Sequence, residues 1–128
     1  MIDKYVLDSS AVLALLGNEE GADAVDAILP LAVMSSVNLA EVISKLQERG
    51  GEDEAIDGAL ADLGLTIISF DRTQADKTGK LRKITRPRGL SLGDRACMAL
   101  AASRGAIAVT TDKAWKDFDN IARIMLVR

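Results

Sequence analysis

The sequence predicts an α/β domain, a mostly parallel sheet covered by helices on both faces. Three observations carry that expectation. Short apolar runs alternate with stretches of helical periodicity along the chain, and such alternation produces βαβ units with right-handed crossovers. At 128 residues, 48% of them hydrophobic, the chain can bury one core without staples, so a single domain over residues 1–128 is expected. No internal repeat or low-complexity linker divides it.

Taken in order, Tyr5-Val6-Leu7 is an apolar run ending at Asp8, and Val12, Leu13, Leu15 and Leu16 suit a buried helix over residues 9–16. A second helix is expected from Gly21 to Leu29, stopped by Pro30, and Leu31 to Met34 makes the next strand. A helix beginning near Asn38 carries Leu39, Val42, Ile43 and Leu46 at helical spacing and ends at Arg49-Gly50-Gly51. Another amphipathic helix covers Asp53 to Leu63. Leu65 to Phe70 is apolar and β-branched enough for a strand, followed by a polar helix from Arg72 to Lys83. Pro87 and Gly89 mark a loop. The alanine-rich stretch Leu92 to Ser103 is the strongest helix, closed by Gly105. Ala106 to Val109 reads as a buried strand, Lys113 to Phe118 as a short helix, and Ile124 to Val127 as a last strand.

The most restrictive fact is the absence of histidine. Ser-His-Asp catalysis, paired-histidine RNA cleavage and His-ligated zinc are excluded, so any hydrolytic chemistry rests on carboxylates. Cys97 is the single cysteine, which excludes an internal disulfide; its apolar helical setting and the missing partner favour a reducing, cytoplasmic home. No apolar run approaches the ~20 residues that cross a bilayer, and Met1-Ile2-Asp3-Lys4 lacks the features of a signal peptide, so neither membrane nor secretion is expected. The net charge of −3 argues against a whole-surface nucleic-acid binder. The segment 77–88 nevertheless carries Lys77, Lys80, Arg82, Lys83, Arg86 and Arg88 with no carboxylate between them, either a solvated face or a phosphate-binding patch.

Parallel sheets bind ligands at the carboxyl ends of their strands. Asp8 closes the first strand and Asp112 follows the strand 106–109, which puts both on that edge. Glu41, three residues after Asn38, and Asp94, three after Ser91, belong to first helical turns that face the same edge. Each has a structural alternative. Asn38-x-x-Glu41 and Ser91-x-x-Asp94 match the capping box, and Asp8 and Asp112 are placed as N-caps, a role contributing roughly 1 kcal/mol apiece. Together, four carboxylates in one cleft repel unless protons or a cation intervene, and an all-oxygen set suits Mg²⁺ or Mn²⁺ rather than zinc. Asp71 also follows a strand; it is assigned a structural role because a strand at the sheet's far edge cannot bring its end to the cleft.

At these residues the chain resembles the PIN-domain family, and within it the VapC-like toxins of bacterial and archaeal toxin–antitoxin pairs. Tyr5-Val6-Leu7-Asp8-Ser9-Ser10-Ala11 resembles the first family motif, Asn38-Leu39-Ala40-Glu41-Val42 the second, Leu90-Ser91-Leu92-Gly93-Asp94 the third and Thr110-Thr111-Asp112 the fourth. The match spans nearly the whole chain; no motif is specific alone, but four in order are. The resemblance implies a three-layer α/β/α sandwich and metal-dependent cleavage of single-stranded RNA. It carries the catalytic, metal-holding role onto Asp8, Glu41, Asp94 and Asp112, and supporting hydrogen bonds onto Thr110 and Ser9. A further acid is implied shortly after the fourth motif, with Asp117 the candidate and Asp119 competing. A cognate antitoxin that wraps the cleft and a homodimer are implied by analogy.

The expected reaction is in-line attack by water on the scissile phosphate, assisted by one or two Mg²⁺ or Mn²⁺ ions and leaving 5′-phosphate and 3′-hydroxyl ends. Arg95, Lys113, Lys116, Arg82 and Arg86 are candidates for RNA phosphate contacts, with surface solvation the alternative. Tyr5, Phe70, Trp115 and Phe118 are the only aromatics, a poor stacking platform, and Trp115 is expected to pack its helix onto the sheet. A haloacid-dehalogenase-type phosphatase is disfavoured because Ser10 stands where its second acid belongs, and no phosphate-binding loop of the Gly-x-x-x-x-Gly-Lys type occurs. The alternatives kept open are an RNA-processing PIN nuclease that is not a toxin and a non-catalytic RNA- or partner-binding PIN module.

Overall fold

The computed structural model describes residues 3–128; Met1 and Ile2, half of the tetrapeptide considered above for a signal sequence, lie outside the described residues. Five strands, β1 (Tyr5–Leu7), β2 (Ala32–Ser35), β3 (Thr66–Ile68), β4 (Ile107–Thr110) and β5 (Arg123–Leu126), form one sheet in the order β3-β2-β1-β4-β5. Every neighbouring pair is parallel. The helices are α1 (Ser9–Leu16), α2 (Ala22–Ile28), α3 (Ser36–Glu48), α4 (Asp53–Leu63), α5 (Arg72–Lys80), α6 (Arg82–Thr85) and α7 (Leu92–Arg104). Tighter 3-10 turns occupy Leu29–Leu31, Arg86–Arg88 and Lys113–Phe118.

Strand alternation divides the core in two. Val6, Val33 and Ala108 point to one face, where Cys97, Met98, Leu100 and Ala101 of α7 join Trp115 and Phe118. Leu7, Met34 and Val109 point to the other, against Ala11 and Val12 of α1, Val25 of α2 and Val42 of α3. The expected α/β/α sandwich is therefore observed, and Trp115 is fully buried, as its packing role required.

The strand order decides where chemistry can sit. From β1 the chain winds outward through β2 to β3, then returns by α5, α6 and α7 to place β4 on the other flank of β1. The crossovers diverge between β1 and β4, and a crevice opens at the carboxyl ends of those strands. Their ladder runs to its last residue: Asp8 N–H donates to Val109 O at 3.0 Å. β3 lies at the edge, so Asp71 ends far from this crevice; its Oδ1 accepts from Gln74 N at 2.9 Å, capping α5.

Two boundaries depart from the sequence expectation. Helix α3 starts at Ser36, not near Asn38, because Ser35 caps it by accepting from Val37 N at 3.2 Å. The polar helix expected over 72–83 stops at Lys80 and resumes as α6. Leu81, between them, turns toward the core around Trp115, and no Gly or Pro at that point signalled the bend.

Candidate active site

Asp8, Glu41, Asp94 and Asp112 line one cleft of about 230 Å³ at the crevice, together with Ser9, Ser10, Leu13 and Lys45. Asp8 sits deepest, 4% exposed. Its Oδ1 accepts from Ala11 N (2.8 Å), capping α1, and from Ser10 Oγ (2.7 Å). Its Oδ2 accepts from Thr110 Oγ1 (2.6 Å), which itself accepts from Asp112 N (3.1 Å). Burial pushes the Asp8 carboxyl up to about 6, against the bonds from Thr110, Ala11 and Ser10; the nearby Asp94 charge adds to the rise.

Asp94 closes a true capping box: Ser91 N–H donates to Asp94 Oδ2 (3.0 Å) while Asp94 N–H donates to Ser91 Oγ (3.2 Å). Its pKa is raised, first by burial and further by the charges of Glu41 and Asp112. Asp112 Oδ1 accepts from Ala114 N (2.9 Å), capping the 3-10 turn. Glu41 is no capping-box acid. With α3 starting at Ser36, Asn38 lies inside the helix, 1% exposed, and its Nδ2 donates to Glu41 Oε1 (3.1 Å) and to Gly93 O (3.1 Å). Ser9 Oγ donates to the same Glu41 oxygen at 2.5 Å.

Among the described residues none of these four acids forms an ion pair. Lys45, the one cation lining the cleft, directs its ammonium to Glu48 at 3.6 Å. Glu41 Oε2, Asp94 Oδ1 and Asp112 Oδ2 carry no protein hydrogen bond among the described residues. As placed, no three acidic or cysteine side chains among the described residues stand close enough together to hold a metal ion. Caps and hydroxyls hold the carboxylates at the walls of the cleft. The donor set is wholly oxygen, with uncompensated negative charge, and it fits a hard divalent cation such as Mg²⁺ or Mn²⁺.

The other residues singled out in the sequence are distributed differently. Thr110 and Ser9 bond cleft carboxylates directly. Asp117 does not line the cleft: it pairs with Arg88 at 2.5 Å, an exposed bridge 29 residues apart in sequence that spacing could not anticipate. Asp119 is exposed beyond it. Arg95 turns away from its neighbour Asp94 and gives Nη1 to Thr78 O of α5 at 3.2 Å, a bond that ties two helices. Lys113, Lys116, Arg82 and Arg86 are exposed, outside the cleft lining. Sequence reasoning missed Lys45, one helical turn after Glu41 and so on the same face; the i, i+4 spacing was the available signal. It also missed Ser10, and took Asn38 for a cap.

The PIN domain family model matches residues 5–122. No curated protein matches the chain. Among solved structures, a chain of a toxin–antitoxin complex from Klebsiella pneumoniae is similar with a TM-score of 0.77 and 20% identity, over 98% of each chain. A chain of VapBC2 from Rickettsia felis, bound to a DNA fragment from its promoter, gives 0.72 and 21% over 98% of each. One of DNA-bound VapBC from Salmonella typhimurium gives 0.68 and 22% over 100% of each. At these identities the likeness is one of fold.

Proposed function

The chain belongs to the PIN domain family, and from that premise we propose that it is a divalent-metal-dependent endoribonuclease acting on single-stranded RNA, the toxin of a toxin–antitoxin pair. The observation that carries this reading is the cleft: four carboxylates and no paired cation at the point where the crossovers diverge. Asp8, Glu41, Asp94 and Asp112 would hold Mg²⁺ or Mn²⁺. Bound there, such an ion supplies Lewis-acid activation of water and neutralises charge developing on the scissile phosphate.

The chain's own groups prepare that chemistry. Thr110 and Ser10 hold both oxygens of Asp8, and Ser9 and Asn38 fix one oxygen of Glu41, so the carboxylates are oriented before a ligand arrives. Asp94 and Asp112 each use one oxygen as a cap and leave the other to the cleft. Lys45 at the rim is placed to meet a backbone phosphate, with the exposed Lys113 and Lys116 beyond it. Water as nucleophile leaves the 2′-hydroxyl untouched and gives 5′-phosphate and 3′-hydroxyl ends. With Trp115 buried, base stacking contributes little, and substrate choice falls to shape and charge.

Structural relatives that occur in toxin–antitoxin complexes support an antitoxin partner, and the reading includes a homodimer at work in the cytoplasm. Among the described residues no helix is long and apolar enough to cross a membrane. The decisive experiment compares wild type with Asp8→Asn and Asp94→Asn on single-stranded RNA in Mg²⁺, Mn²⁺ or EDTA, with end-group analysis. Cleavage that survives EDTA, both substitutions giving wild-type rates, or cyclic phosphate products would each reject the reading. Growth arrest on induced expression, absent in both variants, tests the toxin assignment.

A further inference from the structure

We propose that Asn38 and Gly93 are positioning residues that seat the Glu41 carboxylate against the first turn of α7, so that α3 and α7 present their two acids in fixed relation. The proposal rests on the reading of Glu41 as a metal ligand. Its first support is Gly93. This glycine lies within α7 and has no positive φ, so the backbone does not require it, and a glycine inside a helix is less stable than an alanine. The reason for it is spatial: a Cβ built at residue 93 would overlap the carboxyl carbon and both oxygens of Glu41. The missing side chain is the seat in which that carboxylate rests.

The second support is Asn38. Its amide nitrogen reaches Gly93 O and Glu41 Oε1, both at 3.1 Å, and Ser9 Oγ at 3.3 Å. Two of these three are obligate acceptors, so the nitrogen must face them and the amide cannot be turned over. That orientation leaves Asn38 Oδ1 buried without a partner among the described residues. An unpaired buried acceptor is unfavourable, and a leucine or methionine on this face would avoid it. The side chain retained here is one whose donor ties an acid of α3 to the backbone of α7. Ser9, from the start of α1, completes the hold on the same oxygen at 2.5 Å.

The test measures Mn²⁺ affinity of the apo protein by titration, beside melting temperature and RNA cleavage, for Gly93→Ala, Asn38→Ala, Glu41→Gln and the double variant Gly93→Ala/Glu41→Gln. Gly93→Ala keeps or raises the melting temperature, because the three nearest atoms it meets belong to a movable side-chain end, yet it weakens Mn²⁺ binding roughly 10- to 100-fold, the usual effect of disturbing a ligand's support. Asn38→Ala weakens binding in the same range while the fold is retained by circular dichroism. In the Glu41→Gln background, Gly93→Ala changes the affinity by less than about twofold, since no ligand remains to be misplaced. Wild-type affinity in both Gly93→Ala and Asn38→Ala, beside a weakened Glu41→Gln, would overturn the positioning role and leave the metal reading intact. Wild-type affinity in Glu41→Gln itself would overturn the metal reading and this inference with it.

Discussion

Replacing Asp8 by Asn should stabilise the metal-free protein at neutral pH while abolishing its activity. Asp8 is 4% exposed and its carboxyl is pushed to about 6 from 3.8, chiefly by burial. Between those two values the folded chain binds a proton that the unfolded chain has released, so stability falls as pH rises through this window and levels off above about pH 6. A separation of about two pH units corresponds to about 3 kcal/mol. Asn has the same shape. Its Oδ1 keeps the Ala11 amide, and its Nδ2 meets the Thr110 and Ser10 hydroxyls, each of which has a lone pair to turn toward it. The variant therefore escapes the loss, less what weaker neutral hydrogen bonds concede, and in EDTA at about pH 8 it melts several degrees higher, up to roughly 10 °C. Near pH 4 the difference vanishes, since wild type is then protonated as well. Saturating Mn²⁺ closes most of this gap, stabilising wild type by about 2.7 kcal/mol at a hundredfold excess over Kd and leaving the variant unmoved. Scanning calorimetry across this range, with EDTA and with Mn²⁺, reads every term. A variant that melts below wild type at pH 8 in EDTA, or a difference that ignores pH, would refute the reasoning.

Thr110→Val removes the donor to Asp8 Oδ2 and the acceptor for Asp112 N, costing about 1–3 kcal/mol in urea unfolding and moving the acid limb of the cleavage profile to higher pH. Asp117→Asn breaks only an exposed pair with Arg88, so stability changes by less than about 1 kcal/mol and cleavage stays within about twofold; a large loss of rate would return Asp117 to the site. Lys45→Ala should raise KM for RNA, leave melting unchanged, and reduce the salt slope of binding by about 0.7, the signature of one lost phosphate contact on a single strand.

Much of the fold is legible because its signals are periodic and local. The apolar run 5–7 and its register beside 107–109 are written in side chains that alternate between two cores. What escaped was decided by side chains acting at a distance. The start of α3 depended on which of two residues three apart, Ser35 or Asn38, turned back to the backbone: Ser35 does so, while Asn38 bonds Gly93 of α7. Arg95 follows Asp94 in sequence, yet one residue around a helix swings a side chain by about 100°, enough to send it to α5 instead of the cleft. The pairing of Asp117 with Arg88 joins segments that meet only once the sheet has closed.

Capping and metal binding are not exclusive roles for an acid at the start of a helix. A strand that feeds a helix places an acid at the N-cap, where one oxygen takes a backbone amide and the other is free to face outward from the sheet's edge. Asp112 at an N-cap, and Asp94 as the capping-box acid behind Ser91, each keep such a free oxygen. Asp71 is likewise an N-cap, its Oδ1 on Gln74 N three residues on where Asp112 takes Ala114 N two residues on, but it caps at the end of an edge strand, exposed and away from the cleft. Local chemistry cannot separate Asp71 from Asp112; the strand order can, because only β1 and β4 flank the crevice. Moving a capping acid into that crevice changes its energetics: the Asp94 charge adds to the rise of Asp8, those of Glu41 and Asp112 add to the rise of Asp94, and among the described residues no lysine or arginine pairs with these acids. A cap alone would favour Asn or Ser at the buried position of Asp8, where neither pays for desolvation. On the proposed reading, a cation entering the cleft accounts for the carboxylate at this position.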